Sequence, residues 1–219
     1  MPRKTFDNEL GLLKQEFVEM GTLIEEAIEN SIKALTDGDE QLAREVCEND
    51  RYVNVSEKTI QSHALMLMLR QQPVARDLRA VSSALRAATD MERIGDQAAD
   101  IAELTLRLAK NGEPRISSRI IEMAQTAVGM VKACVSAFAA EDTEMAKRVI
   151  ELDDRLDVMF SDITKDIAHA LRKTEDDVDL CIDLLMIAKH FEKIGDHAVN
   201  IARWTIFGET GMLDNVKLI

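Results

Sequence analysis

The chain has 219 residues, 40 of them acidic and 27 basic, for a formal charge of −13. Hydrophobic residues make up 46% of it, too many for a disordered tail, while 9 Gly and 3 Pro are too few to turn the many short strands of a sandwich or barrel. A net acidic surface repels nucleic-acid phosphates and no basic patch stands out to offset it, so no nucleic-acid partner is expected.

Apolar residues recur at helical spacing almost throughout, and the sparse breakers divide the chain into six helices. The first is predicted from about Thr5 to Thr36, stopped by Asp37-Gly38. Asp39 is placed to cap a second, reaching about Arg70 before Gln71-Gln72-Pro73. A third spans about Ala75 to Lys110, ended by Asn111-Gly112 with Pro114, the strongest stop in the sequence. Ser117 begins a fourth, to about Ala140. Asp142 caps a fifth, ending near Arg172, and Thr174-Glu175-Asp176-Asp177 resembles a capping box that opens a sixth, ending near Phe207 before Gly208.

The two halves match residue by residue. Residues 90 to 103 read DMERIGDQAADIAE and residues 190 to 203 read HFEKIGDHAVNIAR, with Glu92, Ile94, Gly95, Asp96, Ala98, Ile101 and Ala102 repeated 100 positions later. Upstream the offset becomes 103, pairing Ala34 with Ala137, Asp39 with Asp142, Ala43 with Ala146, Val46 with Val149 and Asp50 with Asp153. The expected fold is therefore all-α, a duplication giving two tandem antiparallel three-helix bundles, residues 1–112 and 113–219.

Within the best-matched segments, Glu92, Asp96 and Asp100 stand four apart, as do Glu192, Asp196 and Asn200. Four-residue spacing stacks each row on one helix face, nearly opposite the stripes Ile94/Ala98/Ile101 and Ile194/Ala198/Ile201, so the rows lie outside the main core. Like charges at that spacing destabilise a helix by a few tenths of a kcal/mol per pair, and something should offset them. Both rows also enclose a mid-helix glycine, Gly95 or Gly195, costing about 1 kcal/mol relative to Ala, as if another helix or a ligand must approach closely. A second four-spaced pair in each half, Asp50 with Asn54 and Asp153 with Asp157, can be brought towards the first by antiparallel packing. Such oxygen-rich sets suit Mg²⁺, Mn²⁺, Ca²⁺ or iron, and bridging carboxylates suit clusters. The plain alternative is a solvated charged face.

Other features point less sharply. Cys47, Cys134 and Cys181 show neither disulfide nor zinc spacing and read as reduced and mostly buried. His190 and His197 flank the second acid row as auxiliary ligands or surface residues, and Asp166-x-x-His169 is too little for a di-iron centre. Arg79, Arg86 and Arg93 fall seven apart, preceded by Arg70 and Arg76; they can pair with Asp77, Asp90 and Glu92 or meet an anion or an acidic partner. Neither a phosphate-cradling loop nor a nucleophile elbow is present, so an enzyme is not expected. The start MPRKTFDNEL lacks an apolar leader segment, and no uninterrupted apolar stretch approaches the roughly 18 residues of a membrane span. A cytoplasmic protein is expected, reaching a membrane only through protein partners.

The duplicated three-helix unit, the paired Glu-x-Ile-Gly-Asp segments and the run Pro73-Val74-Ala75-Arg76-Asp77-Leu78-Arg79 ahead of the third helix resemble the PhoU family of accessory regulators of bacterial phosphate uptake. The resemblance covers essentially the whole chain. It implies multinuclear metal clusters on E(D)-x-x-x-D motifs, carried here by Asp50, Asn54, Glu92, Asp96 and Asp100 in one half and Asp153, Asp157, Glu192, Asp196 and Asn200 in the other. Asn54 and Asn200 depart from the acidic pattern. Iron, zinc, manganese or magnesium are the metals implied. It further implies a cytoplasmic homodimer coupling a phosphate-specific ABC transporter ATPase to a sensor histidine kinase, restraining uptake and the phosphate-starvation response. Two other readings remain: a hydrolase in which a carboxylate-held metal activates water, and a metal buffer with no phosphate role.

Overall fold

The computed structural model describes residues 3–110, 116–172, 178–213 and 216–217. Six long helices make up nearly all of it: α1 (Arg3–Asp37), α2 (Glu40–Gln71), α3 (Arg76–Ala109), α4 (Ser118–Ala140), α5 (Thr143–Leu171) and α6 (Val178–Thr210). Two short strands follow, β1 (Met212–Leu213) and β2 (Val216–Lys217), paired antiparallel, with β1 packed on α6. The sequence did not suggest that pair; runs of two residues carry no readable alternation. The stop at Asn111-Gly112-Pro114, with the boundary at residues 112 and 113, and the capping box at Thr174–Asp177 lie outside the described residues.

Local chemistry sets the other helix ends. Asp39 accepts a hydrogen bond from Leu42 N at 3.0 Å, Asp142 from both Glu144 N (3.0 Å) and Met145 N (2.9 Å), and Ser117 from Ile120 N at 3.4 Å. Each satisfies amides that the first helical turn leaves without a partner. After α1 the chain reverses through Gly38 at φ +66°, a conformation that glycine adopts without strain.

Burial follows the duplication. Ala43, Val46, Val53 and Ile60 are buried on α2, and 103 positions later Ala146, Val149, Leu156 and Ile163 are buried on α5. On α3 and α6 the buried positions Ala88, Met91, Ile94, Ala98 and Ile101 recur 100 residues on as Ala188, Phe191, Ile194, Ala198 and Ile201. Within each half the three helices pack on one another, and the halves join through α3 against α6 and α1 against α4. Helices α2 and α5 touch only their own half and form the outside of the assembly. One cluster of buried residues nevertheless runs from Phe6 on α1 to Ala202 on α6, stacking Phe17 on Phe138 at 4.2 Å between ring centroids.

Among the described residues one helix, α4, is long and apolar enough to cross a membrane by length and composition. Half of that window is buried, packed on α1, α5 and α6. The cysteines are free, Cys134 and Cys181 buried and Cys47 half-buried.

Candidate functional site

The acid rows face the seams between α2 and α3 and between α5 and α6, and the two glycines create those seams. A methyl group at Gly95 would stand 2.9 Å from Val53 Cγ1 and 3.3 Å from Asp50 Oδ1, while one at Gly195 would overlap Leu156 Cδ2 and lie 3.6 Å from Asp153 Oδ1. Of the two expectations for these glycines, close approach of a helix is the one realised. In both halves the approaching helix carries an aspartate to the glycine, so Asp50 and Asp153 are delivered beside the rows on α3 and α6.

In the first seam Asn54 Nδ2 donates to Asp50 Oδ2 at 2.7 Å, whereas buried Asp50 Oδ1 has no hydrogen-bond partner. Burial raises the Asp50 pKa above the ordinary aspartate value, and the nearby charges of Asp96 and Asp100 raise it further, with the Asn54 bond opposing. Glu92, its side chain only 16% exposed, is shifted up by burial and Asp96, with Arg93 opposing and Glu57 and Asp50 adding. Arg93 takes the exposed side of the row, 3.0 Å from Asp96 Oδ2 and 3.4 Å from Glu92 Oε2. The repulsion expected along the row is thus partly met by a neighbouring guanidinium.

Glu57 belongs to this neighbourhood and was not anticipated. It accepts hydrogen bonds from Gln61 (2.6 Å) and from the Thr89 hydroxyl of α3 (3.2 Å). Its spacing of seven from Asp50 was a readable signal, but the 103-residue offset places Phe160 at its counterpart, so a search for repeated acids passes over it. The exchange is concerted: Lys189, the counterpart of Thr89, lies over the Phe160 ring at 5.0 Å from its centroid.

In the second seam burial and the like charges of Asp157 and Asp196 push the Asp153 pKa up to about 6, with Arg203 opposing. Glu192, 13% exposed, is held by Lys189 at 2.7 Å and Lys193 at 3.4 Å, and Lys193 also pairs with Asp196. Asp157 is exposed on α5.

The last residue of each row turns to the junction between the halves. Asn200 Nδ2 donates to Asp90 Oδ1 of α3 at 3.1 Å, and Asp100 Oδ2 stands 3.6 Å from His190 Nδ1 of α6. His197 Nδ1 lies 2.9 Å from Asp90, and His190 Nδ1 lies 2.8 Å from Gln97 Oε1. Because Asp90, Gln97 and Asp100 correspond to His190, His197 and Asn200, the contacts repeat with the two helices exchanged, an approximate two-fold relation. Both histidines are half-buried interface residues, each beside a carboxylate of α3: His197 by Asp90 and His190 by Asp100. Trp204 also serves this junction, donating Nε1–H to Asp90 Oδ2 at 3.2 Å and meeting Phe207 edge to face.

Among the described residues no three Asp, Glu, His or Cys side chains converge as a ligand set for a metal ion. The donors fit a hard cation in kind: an unpartnered buried oxygen on Asp50, and at Asp153 a carboxylate crowded by two others. Gathering them would require Arg93 and Lys193 to leave the oxygens they now hold.

The PhoU domain family matches residues 17–105 and 120–205. A relative from Rhizobium meliloti, named a phosphate-specific transport system accessory protein PhoU homolog, is 32% identical over 207 residues, covering 94% of this chain and 87% of its own. A Thermotoga maritima relative, named homolog 1 of the same accessory protein, is 31% identical, covering 94% of this chain and 89% of its own. The crystal structure of PhoU from Pseudomonas aeruginosa superimposes with a TM-score of 0.91 at 29% identity, over 94% of this chain and 100% of that one. The phosphate transport system regulatory protein PhoU from Streptococcus pneumoniae does so with a TM-score of 0.90 at 26% identity, over 96% and 100%. The duplicated helical unit with its glycine-seamed acidic faces, matched by the family in each half, makes this chain a member of the PhoU family.

Proposed function

We propose that this chain is a regulatory accessory protein of phosphate uptake, a non-enzymatic adaptor in the cytoplasm that restrains both the uptake system and the phosphate-starvation response. In this reading it bridges a phosphate-specific ABC transporter ATPase and a sensor histidine kinase, works as a homodimer, and reaches the membrane only through those partners. The observation that carries it is the match to relatives named as phosphate-transport accessory proteins along nearly the whole chain, both halves included. The two acidic seams are its metal sites. Asp50, Asn54, Glu92, Asp96 and Asp100 would hold ions in the first and Asp153, Asp157, Glu192, Asp196 and Asn200 in the second, with Glu57 added to the first. A bound ion supplies positive charge where burial and neighbouring carboxylates now work against ionisation.

The test is a phosphate-responsive reporter in cells lacking the chain. Restored repression in high phosphate by the intact chain, together with recovery of the transporter ATPase or the kinase on affinity capture, is the expected result. A chain that restores nothing and captures neither protein sinks the adaptor reading. The Glu92→Ala/Asp96→Ala variant separates adaptor from hydrolase, since an adaptor that loses metal still binds its partners, whereas a hydrolase loses turnover.

A further inference from the structure

Arg79, Arg86 and Arg93 stand seven apart on α3, and most of the arginines on this helix are occupied. Arg76 pairs with Glu141 and Glu209, Arg79 donates to the carbonyl oxygens of Gly208 and Glu209 at the end of α6, and Arg93 pairs with Asp96. Arg86 is exposed and makes no hydrogen bond or ion pair among the described residues. It lines a cavity of about 360 Å³ between α3 and α6, together with Thr89, Asp90, Asn200, Arg203, Trp204 and Leu213 of β1. That volume is within the roughly 300–1,000 Å³ of small-molecule sites.

The duplication provides an internal control for the charge of this cavity. The approximate two-fold relation places Met186, Lys189 and His190 of α6 and Asp100, Glu103 and Leu104 of α3 at the corresponding positions of the other mouth. Arg86 thus stands opposite Met186, Arg203 opposite Glu103 and Asn200 opposite Asp100, each adding positive charge or removing negative charge, while Thr89 opposite Lys189 and Asp90 opposite His190 do the reverse. Counting ionised groups, the first mouth has two arginines and Asp90, and the second has Lys189 against Asp100 and Glu103. On a chain of net charge −13, the lining residues of this mouth carry a net positive charge, with Glu57 behind Thr89 and Asp153 near Arg203.

Asp90 does not cancel that charge by facing the cavity with free oxygens. Its Oδ1 is engaged by His197 (2.9 Å) and Asn200 (3.1 Å) and its Oδ2 by Trp204 Nε1 (3.2 Å). The carboxylate is tied into the junction and the guanidinium of Arg86 is left for a ligand. Arg203 also lies near enough to Asp153 to oppose its upward pKa shift, so the cavity and the second acidic seam share one cation. Guanidinium groups beside an amide side chain suit the tetrahedral oxygens of a phosphoryl group; the Thr89 hydroxyl is committed to Glu57.

We propose that the cavity between α3 and α6, lined by Arg86, Arg203 and Trp204, binds a phosphoryl-bearing anion. Free inorganic phosphate and the phosphates of a nucleotide share that chemistry. The inference goes beyond the adaptor reading and does not depend on it, because binding is measured on the isolated chain.

Trp204 is the only tryptophan and lines the cavity, so its emission reports occupancy. The purified full chain, in EDTA and at fixed ionic strength, is titrated with inorganic phosphate and separately with ATP, alongside the variants Arg86→Met and Arg203→Gln. Methionine already occupies the equivalent place in the other half, and Arg86 is exposed, so the first variant keeps the fold; circular dichroism verifies both. A saturable response to phosphate, weakened about tenfold or more in Arg86→Met, is the expected result and assigns free phosphate as the ligand. A response to ATP alone, equally weakened, supports the site with a nucleotide as the source. Equilibrium dialysis with radiolabelled phosphate and ATP decides where emission is silent. No binding of either up to about 10 mM, or binding equally tight in both variants and the parent chain, overturns the proposal.

Discussion

Gly95 and Gly195 show how a residue that weakens a helix is retained for packing. Alanine at either place gains about 1 kcal/mol of helix propensity, whereas overpacking a filled seam costs about 1–3 kcal/mol. At Gly95 the added carbon meets Val53, whose branched side chain is stiff and buried, so the overpacking term wins. Gly95→Ala is expected to lower stability by about 1 kcal/mol in urea titration, and the loss should be less than additive with Val53→Ala, which vacates the space. A Gly95→Ala chain more stable than the parent would show that the seam is loose. Asp153 gives a pH signature. Its pKa in the folded state is about 6, above its ordinary value of 3.8, so its contribution to stability is fully present below about pH 4 and lost as the pH rises through 6. With metal chelated, Asp153→Asn should therefore raise the melting temperature at pH 7.5 by more than at pH 5. Equal shifts at the two pH values would contradict the crowding of Asp153 by Asp157 and Asp196.

Between elements, the junction of α3 and α6 holds an ion pair whose members are unequally solvated. Asp183 on α6 has a side chain 3% exposed, while its partner Arg107 on α3 is 60% exposed. Removing the arginine strands a buried carboxylate, whereas neutralising the aspartate leaves a guanidinium that water can solvate. Arg107→Met is accordingly expected to cost roughly 1–3 kcal/mol and Asp183→Asn distinctly less. Chemical denaturation of the two variants measures the difference, and the opposite order would mean that Asp183 is better solvated in the native state than its burial indicates. The repeat does not conserve this pair, for Ser83 and Phe207 stand at the equivalent places. The duplicated helices keep the shape of their junction while exchanging its chemistry, as they do at Thr89 and Glu57 against Lys189 and Phe160.

Across the whole molecule, the halves are joined by their cores rather than by a linker. The buried cluster crosses from α1 to α4 and from α3 to α6, and at one end Lys14 of α1 and Arg76 of α3 both reach Glu141 beyond α4, while Arg76 also reaches Glu209 of α6. Lys14 and Arg76 hold the Glu141 pKa below the ordinary glutamate range. A half on its own would expose the apolar faces of α3 and α1, or of α6 and α4, to water. The full chain should unfold in one cooperative transition, coincident by Trp204 emission and by helical circular dichroism, and residues 1–112 expressed alone should aggregate or stay molten. Two resolved transitions would instead show two independent bundles.

Helix positions, the caps at Asp39, Ser117 and Asp142, the duplication and the acid rows were legible in the chain, because each rests on local chemistry or on spacing along one helix. The offset of 100 or 103 residues also foretold which residues are buried, since both copies pack against the same kind of neighbour. What spacing could not convey was the direction in which each row continues across a seam. Asn200 and Asp100 follow the four-residue period, yet they face the junction of the halves, where the partner helix supplies Asp90 or His190. Glu57 joins the first seam although its counterpart is a phenylalanine, and Arg86 stands apart from its row because, among the described residues, the other half brings no acid to it. Each of these outcomes depends on what another helix brings, from 32 residues away at Glu57 and about a hundred at Asp100 and Asn200. A helical period fixes the face a residue occupies on its own element, whereas the groups that face meets are set by how α3 and α6 pack.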